Sequence, residues 1–355
     1  PPLSNTVFTA YDSLGNVTSQ WGGTYPVEYG YDTRNRKISM KTFRVENGNG
    51  DETLWLYDNL TGLLTNKVYA DGSRVVYAYA ADGRLASRVW ARGVTAVYAY
   101  DAFGQVTNTA YSDDTPQVSY AYDRLGRVLS AVTGRSPSQF LIEELLPYLP
   151  PLATNIFSYS GLDLASETQN GVTVARRRDA LGRDTGYGIG GGVSAAYGYD
   201  AFGRFASVTS AFHAVTNVFT YGYLQGTDLI NCMTNSAGIM RQRAHEQNRG
   251  LVSAVSNRVN QTLISAFDYE SDALGRRARR VDRTAALLAT NDFAYNARGE
   301  ITGAGMGGDS YGYGYDSIGN RVWSAENAAT NLYAANALNQ YTNVTGGAAV
   351  SPAYD

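Results

Sequence analysis

The sequence predicts an all-β fold assembled from repeated antiparallel hairpins, and three observations predict it. A tyrosine-aspartate unit recurs, reading Tyr-Ala-Tyr-Asp-Ala-Phe-Gly-Gln at 98–105, Tyr-Ala-Tyr-Asp-Arg-Leu-Gly-Arg at 120–127, Tyr-Gly-Tyr-Asp-Ala-Phe-Gly-Arg at 197–204 and Tyr-Gly-Tyr-Asp-Ser-Ile-Gly-Asn at 313–320. Copies return mostly every 20 to 26 residues along a chain of 355. Tyrosine outnumbers phenylalanine 28 to 11, which suits a thin sheet whose rings pack while their hydroxyls find polar partners. Self-similarity of this kind means that each unit is stabilised by stacking on its neighbours.

Each unit reads as a hairpin. In the pairs Tyr98 and Tyr100, Tyr120 and Tyr122, Tyr197 and Tyr199, and Tyr313 and Tyr315, two-residue spacing on a strand puts both rings on one face. A turn follows, with aspartate first and glycine fourth: Asp101 and Gly104, Asp123 and Gly126, Asp179 and Gly182, Asp200 and Gly203, Asp272 and Gly275, Asp316 and Gly319. The carboxylate can accept backbone N–H groups and the glycine accepts positive φ. The returning strand opens on Arg, Asn or Gln, as at Arg127, Arg183, Arg204 and Arg276. An arginine there can lay its planar guanidinium on a neighbouring tyrosine.

Further copies are recognisable at Tyr11-Asp12 with Gly15, Tyr31-Asp32, Tyr57-Asp58, Tyr79 with Gly83, Tyr223, and Tyr295 with Gly299, while Arg178 takes the tyrosine's place before Asp179. Phe157-Ser-Tyr159 and Phe267-Asp-Tyr269 are weaker copies. The Gly-, Asn- and Ser-rich stretches 47–51, 111–115, 186–192 and 303–309 are expected as loops at the opposite rim of the sheet. Repeats thus fill 1–134 and 157–355, with a degenerate stretch at 224–266 whose length fits two worn repeats. The insert 135–156 differs: Ser136, Pro137 and Gln139 form a helix start, Leu141, Ile142, Leu145 and Leu146 share a helical face, and Pro147 ends it. A short amphipathic helix is expected there.

Composition excludes several function classes. With 17% charged residues and a net charge of −3, the chain has no basic surface to attract nucleic acid. Its single cysteine, Cys232, rules out an intrachain disulfide framework. No apolar run approaches the roughly 18 residues of a membrane-spanning helix, so this segment is expected not to enter a membrane. His213 and His245 stand apart from any cysteine or carboxylate cluster at ligand spacing, so no metal is expected. Gly186-x-Gly188-x-x-Gly191 and Gly303-x-Gly305-x-x-Gly308 match a dinucleotide fingerprint, but that pattern has meaning only between a strand and a helix, so no cofactor is expected. The many aspartates share one turn role, and no nucleophile elbow is present. The chain is expected not to be an enzyme and to carry no catalytic residues.

The unit Tyr-Asp-x-x-Gly-Arg-Val/Leu resembles the YD repeat of the RHS family, whose members include bacterial polymorphic toxins, wall-associated proteins, the C component of Tc insecticidal toxins, and animal teneurins. The resemblance covers nearly the whole chain, least clearly at 135–155 and 224–266, and Ala337-Leu-Asn-Gln-Tyr341-Thr342 resembles a run common near the end of bacterial repeat regions. It implies an array curling into a spiral β-shell, a partial cocoon around a C-terminal toxin or effector. That cargo, the protein's own effector domain outside this chain, is the expected partner, and the expected setting is secreted or at the bacterial cell surface. The chain then reads as part of a longer array. No Asp-Pro occurs in it, so the family's self-cleavage is carried over to no residue. The rival expectation is a cell-surface adhesion module that binds carbohydrate through exposed tyrosines and loops.

Overall fold

The computed structural model of the protein describes residues 6–45, 48–134, 153–347 and 350–354. Its described residues contain thirty strands and no helix, so the fold is the all-β antiparallel hairpin array expected from the repeat. The short helix expected within 135–156 falls mostly at 136–147, outside the described residues.

In chain order the strands begin with β1 (Val7–Tyr11), β2 (Val17–Gly22), β3 (Val27–Tyr31), β4 (Lys37–Thr42), β5 (Asp51–Tyr57), β6 (Leu64–Val68) and β7 (Arg74–Tyr79). Next come β8 (Leu85–Val89), β9 (Thr95–Tyr100), β10 (Val106–Tyr111), β11 (Val118–Tyr122), β12 (Val128–Thr133), β13 (Thr154–Ser160), β14 (Asp163–Gln169) and β15 (Val172–Arg178). They continue as β16 (Asp184–Ile189), β17 (Val193–Tyr199), β18 (Phe205–Phe212), β19 (Val215–Tyr223), β20 (Ile230–Asn235), β21 (Ile239–His245), β22 (Val252–Val259) and β23 (Thr262–Ser271). The last are β24 (Arg277–Thr284), β25 (Leu288–Tyr295), β26 (Ile301–Met306), β27 (Asp309–Tyr315), β28 (Arg321–Glu326), β29 (Ala329–Ala335) and β30 (Tyr341–Thr345).

The chain forms two compact units. Unit 1 comprises residues 1–76, 243–257 and 263–355, and unit 2 comprises 77–242 and 258–262. Within unit 1, β1 to β7 form one meander in which each strand pairs antiparallel with the next. The run β23 to β30 forms another of the same kind. Within unit 2 the meander runs from β8 to β21. Where the repeat turn begins, the register slips by one residue, as between Ala121 and Tyr122 opposite Ser130 and Val128. That bulge accommodates the glycine that closes the turn.

Alternation along the strands separates the two faces. In β11, Val118, Tyr120 and Tyr122 are half-buried while Ser119 and Ala121 are exposed, and β29 repeats the pattern with Tyr333 covered and Leu332 and Ala334 open. Tyrosine rings therefore crowd one face, and the other mixes small and hydroxylated residues with single exposed apolar ones such as Leu332. Cross-strand hydroxyl pairs join neighbours there, including Ser158 with Ser166 at 2.6 Å and Thr220 with Thr234 at 2.6 Å.

No conventional core forms. Among the described residues the buried apolar side chains are Val75, Ala96, Ala195 and Ala304, and no large side chain is fully buried. A single layer cannot exclude water from its rings, so ladder hydrogen bonds and contacts between successive repeats hold the fold.

Two glycine-rich stretches depart from expectation. Gly186 and Gly188 lie on β16, and Gly303 and Gly305 on β26, so only 190–192 and 307–308 are loop. Gly186 shows why: at φ +125 its missing Cβ would stand 2.0 Å from the Ala195 carbonyl oxygen. Glycine is there because a neighbouring backbone approaches closely. The degenerate stretch 224–266 carries β20, β21, β22 and the start of β23.

Candidate functional site

In each unit the chemistry is concentrated at the rim where the repeat turns lie. The turn at Asp123 shows the construction. Gly126 N–H donates to the Asp123 carbonyl at 3.0 Å, and Asp123 N–H donates to the Arg127 carbonyl at 2.9 Å. Asp123 Oδ1 accepts N–H from Leu125 at 2.8 Å and Arg127 at 3.0 Å, and Oδ2 accepts from Arg127 Nε at 2.7 Å. One carboxylate thus satisfies the whole turn.

Arg127 then reaches the next repeat. Its Nη1 donates to the Gly161 carbonyl, and its guanidinium lies 4.1 Å from the centre of the Tyr159 ring. Tyr159 closes the link by donating its hydroxyl to the Val128 carbonyl at 2.9 Å. Carboxylate, guanidinium and phenol form a clip, and each clip spans a repeat boundary.

The clip recurs along the rim. Arg36 is held by Asp32, donates to the Gly62 carbonyl and covers Tyr57. Arg204 is held by Asp200, donates to the Thr227 carbonyl and covers Tyr223. Arg276 is held by Asp272, donates to the Asn296 carbonyl and covers Tyr295, while Arg183 is held by Asp179 and covers Tyr199. The phenol bond to the preceding repeat recurs at Tyr31, Tyr57, Tyr100, Tyr122, Tyr199, Tyr223 and Tyr295. Asn16 and Asn320 replace arginine, donating to Asp12 and Asp316. Asp101 accepts from the Phe103 and Gln105 N–H groups.

Other positions depart from the full clip. Gly15, Gly83, Gly104, Gly182, Gly203, Gly275 and Gly299 all take positive φ at the fourth turn position. Before Gly83 the first turn residue is Ala80 rather than aspartate, and Asp82 accepts the Arg84 N–H instead. Asp58 caps a longer turn through Leu60 and Thr61. Tyr11 is exposed, burial raises the phenol pKa of Tyr79 and Tyr315, and Arg178 bonds the Gly182 carbonyl. The inner tyrosines also pack: Tyr197 lies 5.7 Å from Phe205, and Arg321 stands 5.0 Å over Tyr313.

Electrostatics follow the same geometry. The N–H of Arg36 chiefly, with its guanidinium, holds the Asp32 carboxyl below its ordinary pKa against the opposing effect of burial, and Arg127 does the same to Asp123. These carboxylates are engaged as turn caps. Among the described residues no group of three metal-ligating side chains is placed to hold an ion, and no helix is long and apolar enough to cross a membrane.

A second arrangement lay outside the sequence reading. In unit 1, loops of the opposite rim seat on repeat turns far along the chain. Tyr25, between β2 and β3, donates to Glu300 Oε1 at 3.2 Å, and Arg298 stands 5.7 Å from its ring. Arg298 bonds Glu300 Oε2 and the Asp316 carbonyl. Arg44, between β4 and β5, pairs with Asp51 and donates to the Ala335 carbonyl at 2.9 Å. The Ser317 N–H donates to the Arg44 carbonyl at 3.0 Å. The signal for these residues is weak, because neither Tyr25 nor Arg44 belongs to a repeated motif. Asn35 and Asn339 also escaped the pattern: each holds the turn position of glycine, at φ 63 and 62, which asparagine tolerates.

No family model and no curated protein matches the chain. Solved structures do. The chain is similar to one in a crystal structure of TcdB2-TccC3-Cdc42, with a TM-score of 0.65 at 13% identity, over 95% of this chain and 20% of that one. A chain of the Photorhabdus luminescens Tc holotoxin pore aligns at 12% identity over 96% of this chain and 24% of that one, with a TM-score of 0.49. At such identity the first likeness is one of fold, and the second is too loose to add to it. This chain spans about a fifth of the length of the solved chain it matches.

Proposed function

We propose that the chain is a non-catalytic wall segment of an RHS-type YD-repeat protein, part of a hollow β-shell that encloses a C-terminal effector. The observation that carries this reading is the clip at the repeat boundaries. At each clip an arginine, a tyrosine and an aspartate join repeat to repeat, as the extension of a wall requires. The fold likeness to a Tc toxin chain over 95% of the sequence supports the same reading, as does the resemblance of the repeat itself. The protein would be secreted or surface-exposed and bacterial, and its partner would be its own effector domain. An adhesion role needs open tyrosine faces, but the clip tyrosines are covered by guanidinium groups and their hydroxyls are engaged.

Limited proteolysis of the full-length gene product, read by mass spectrometry, tests the proposal. Sequence C-terminal to the array should resist protease until denaturant opens the repeats, and should then be cut rapidly. Digestion of that region at the same rate before and after opening would overturn the shell. Binding to a glycan array, lost when Tyr122 or Tyr199 is changed to alanine in a folded variant, would instead establish adhesion.

A further inference from the structure

The third residue of the repeat turn is often a large apolar side chain held out in solvent. In unit 2, Phe103 is 89% exposed, Leu181 79% and Phe202 83%, with Leu125 beside them in the same series. Their turns follow one another along a single rim, spaced by two strands, or roughly 10 Å for adjacent hairpins. A regular row of apolar tips on a solvent-facing rim is a candidate contact surface.

Unit 1 shows what such a rim accepts. At the turns of Asp316 and Asn336 the equivalent tips, Ile318 and Leu338, are half-buried. There a loop from the opposite rim of the same array bonds the turns. The Arg44 carbonyl accepts the N–H of Ser317, the second turn residue, and the Arg44 guanidinium donates to the Ala335 carbonyl. In unit 2 the corresponding N–H groups of Ala102, Ala180 and Ala201 have no partner among the described residues. Each bare turn therefore offers an apolar tip, a free N–H and carbonyl oxygens, the same set that Arg44 and its loop engage.

We propose that the turn rim of unit 2 is a self-recognition surface, covered by opposite-rim loops of a second copy of this chain. Unit 2 carries the other half of the contact. Arg92, in the turn between β8 and β9, lies at the opposite rim with its side chain 41% exposed and 3.9 Å from Asp113. It can take the part that Arg44 plays in unit 1, donating to a turn carbonyl while its loop carbonyl meets a free N–H. The inference concerns association of the array with itself and does not depend on an enclosed cargo.

Sedimentation velocity on the purified chain over a range of concentrations tests it, together with photo-crosslinking from benzoylphenylalanine in place of Phe103. The expected result is concentration-dependent association, with crosslinks to opposite-rim loop peptides, residues 90–94 among them. The double variant Phe103→Ser, Phe202→Ser should weaken association on the order of tenfold or more, as removal of two buried aromatic anchors does. Arg92→Ala should weaken it too, and both variants should remain folded, with the wild-type circular dichroism spectrum. A chain that stays monomeric, association indifferent to these substitutions, or crosslinks that join turn to turn would each overturn the proposal.

Discussion

Tyr25 and Glu300 lie 275 residues apart in sequence and share a hydrogen bond of 3.2 Å. Burial first, and the Glu300 carboxylate second, raise the pKa of the phenol, so it remains a donor across the neutral range. This bond ties the loop between β2 and β3 to the turn between β25 and β26 inside unit 1. Nearest-neighbour stacking alone lets a repeat array open locally. A bond between repeats so far apart in sequence opposes that opening.

Gly319 should be the glycine least tolerant of substitution at this joint. It sits at φ +90, and an added Cβ would lie 2.7 Å from the Tyr25 hydroxyl. Gly182 is the control, at φ +78 with open space around it. Replacement by alanine should cost each about 1 to 2 kcal/mol from the left-handed backbone, with a further loss at Gly319 alone. Thermal melts of Gly319→Ala and Gly182→Ala, each repeated in a Tyr25→Ala background, measure this. The difference between the two glycines should shrink once Tyr25 is gone, and a difference that persists would place its cause elsewhere.

Tyr122→Phe should reveal the worth of one clip bond. The hydroxyl donates to the Val106 carbonyl at 2.7 Å, and its loss should cost about 1 kcal/mol. Because each repeat is coupled mainly to its neighbours, hydrogen exchange should quicken in β10 to β12 and stay unchanged in β25 to β30. Uniform quickening would show that the array opens as one cooperative block rather than repeat by repeat.

The hairpins are legible in the sequence because turn chemistry is local: an aspartate and a glycine three residues apart suffice to mark Asp123 and Gly126. Stacking of Arg127 on Tyr159 is less legible, since it depends on which strands become neighbours across a long insert. Asn339 hides its turn, and Asn35 leaves the turn at Asp32 without its closing mark, because asparagine reaches positive φ without the glycine found in the rest. The seat of Tyr25 is not legible at all. It depends on where the chain returns after more than two hundred residues, and no spacing rule encodes that.

Acid should loosen the array, and the sign follows from the caps. The Asp32 and Asp123 carboxyls have pKa values lowered by the N–H and guanidinium of the arginine four residues on, against burial. Asn16 holds Asp12 low, by its side chain first. A folded pKa below the unfolded value of about 3.9 gives stability that is present above that value and is lost as pH falls through the folded pKa. The melting temperature should therefore be flat above about pH 5 and fall steeply below about pH 4. Asp32→Asn with Asp123→Asn should lower the neutral-pH value and make the acid limb shallower. An unchanged acid limb in the double variant would mean that other carboxylates govern the transition.

Arg44 should be the joint's most sensitive side chain. Two of its nitrogens bond Asp51, at 2.5 and 2.9 Å, and a third bonds the Ala335 carbonyl. Bidentate pairing fixes the guanidinium in a plane that lysine's point charge cannot reproduce. Arg44→Lys should therefore recover little of the loss in Arg44→Ala, about 2 kcal/mol for removing charge-assisted hydrogen bonds. Asp51 is only 14% exposed in its side chain, so part of that loss is the cost of leaving it unpaired, and Arg44→Ala with Asp51→Ala should be less damaging than the two single changes added together. Site-resolved exchange separates the joint from the pair, because the Ser317 amide is donated to the Arg44 carbonyl. If the guanidinium holds that loop in its seat, the Ser317 amide should exchange faster in Arg44→Ala, and wild-type protection there would confine the role of Arg44 to its own loop.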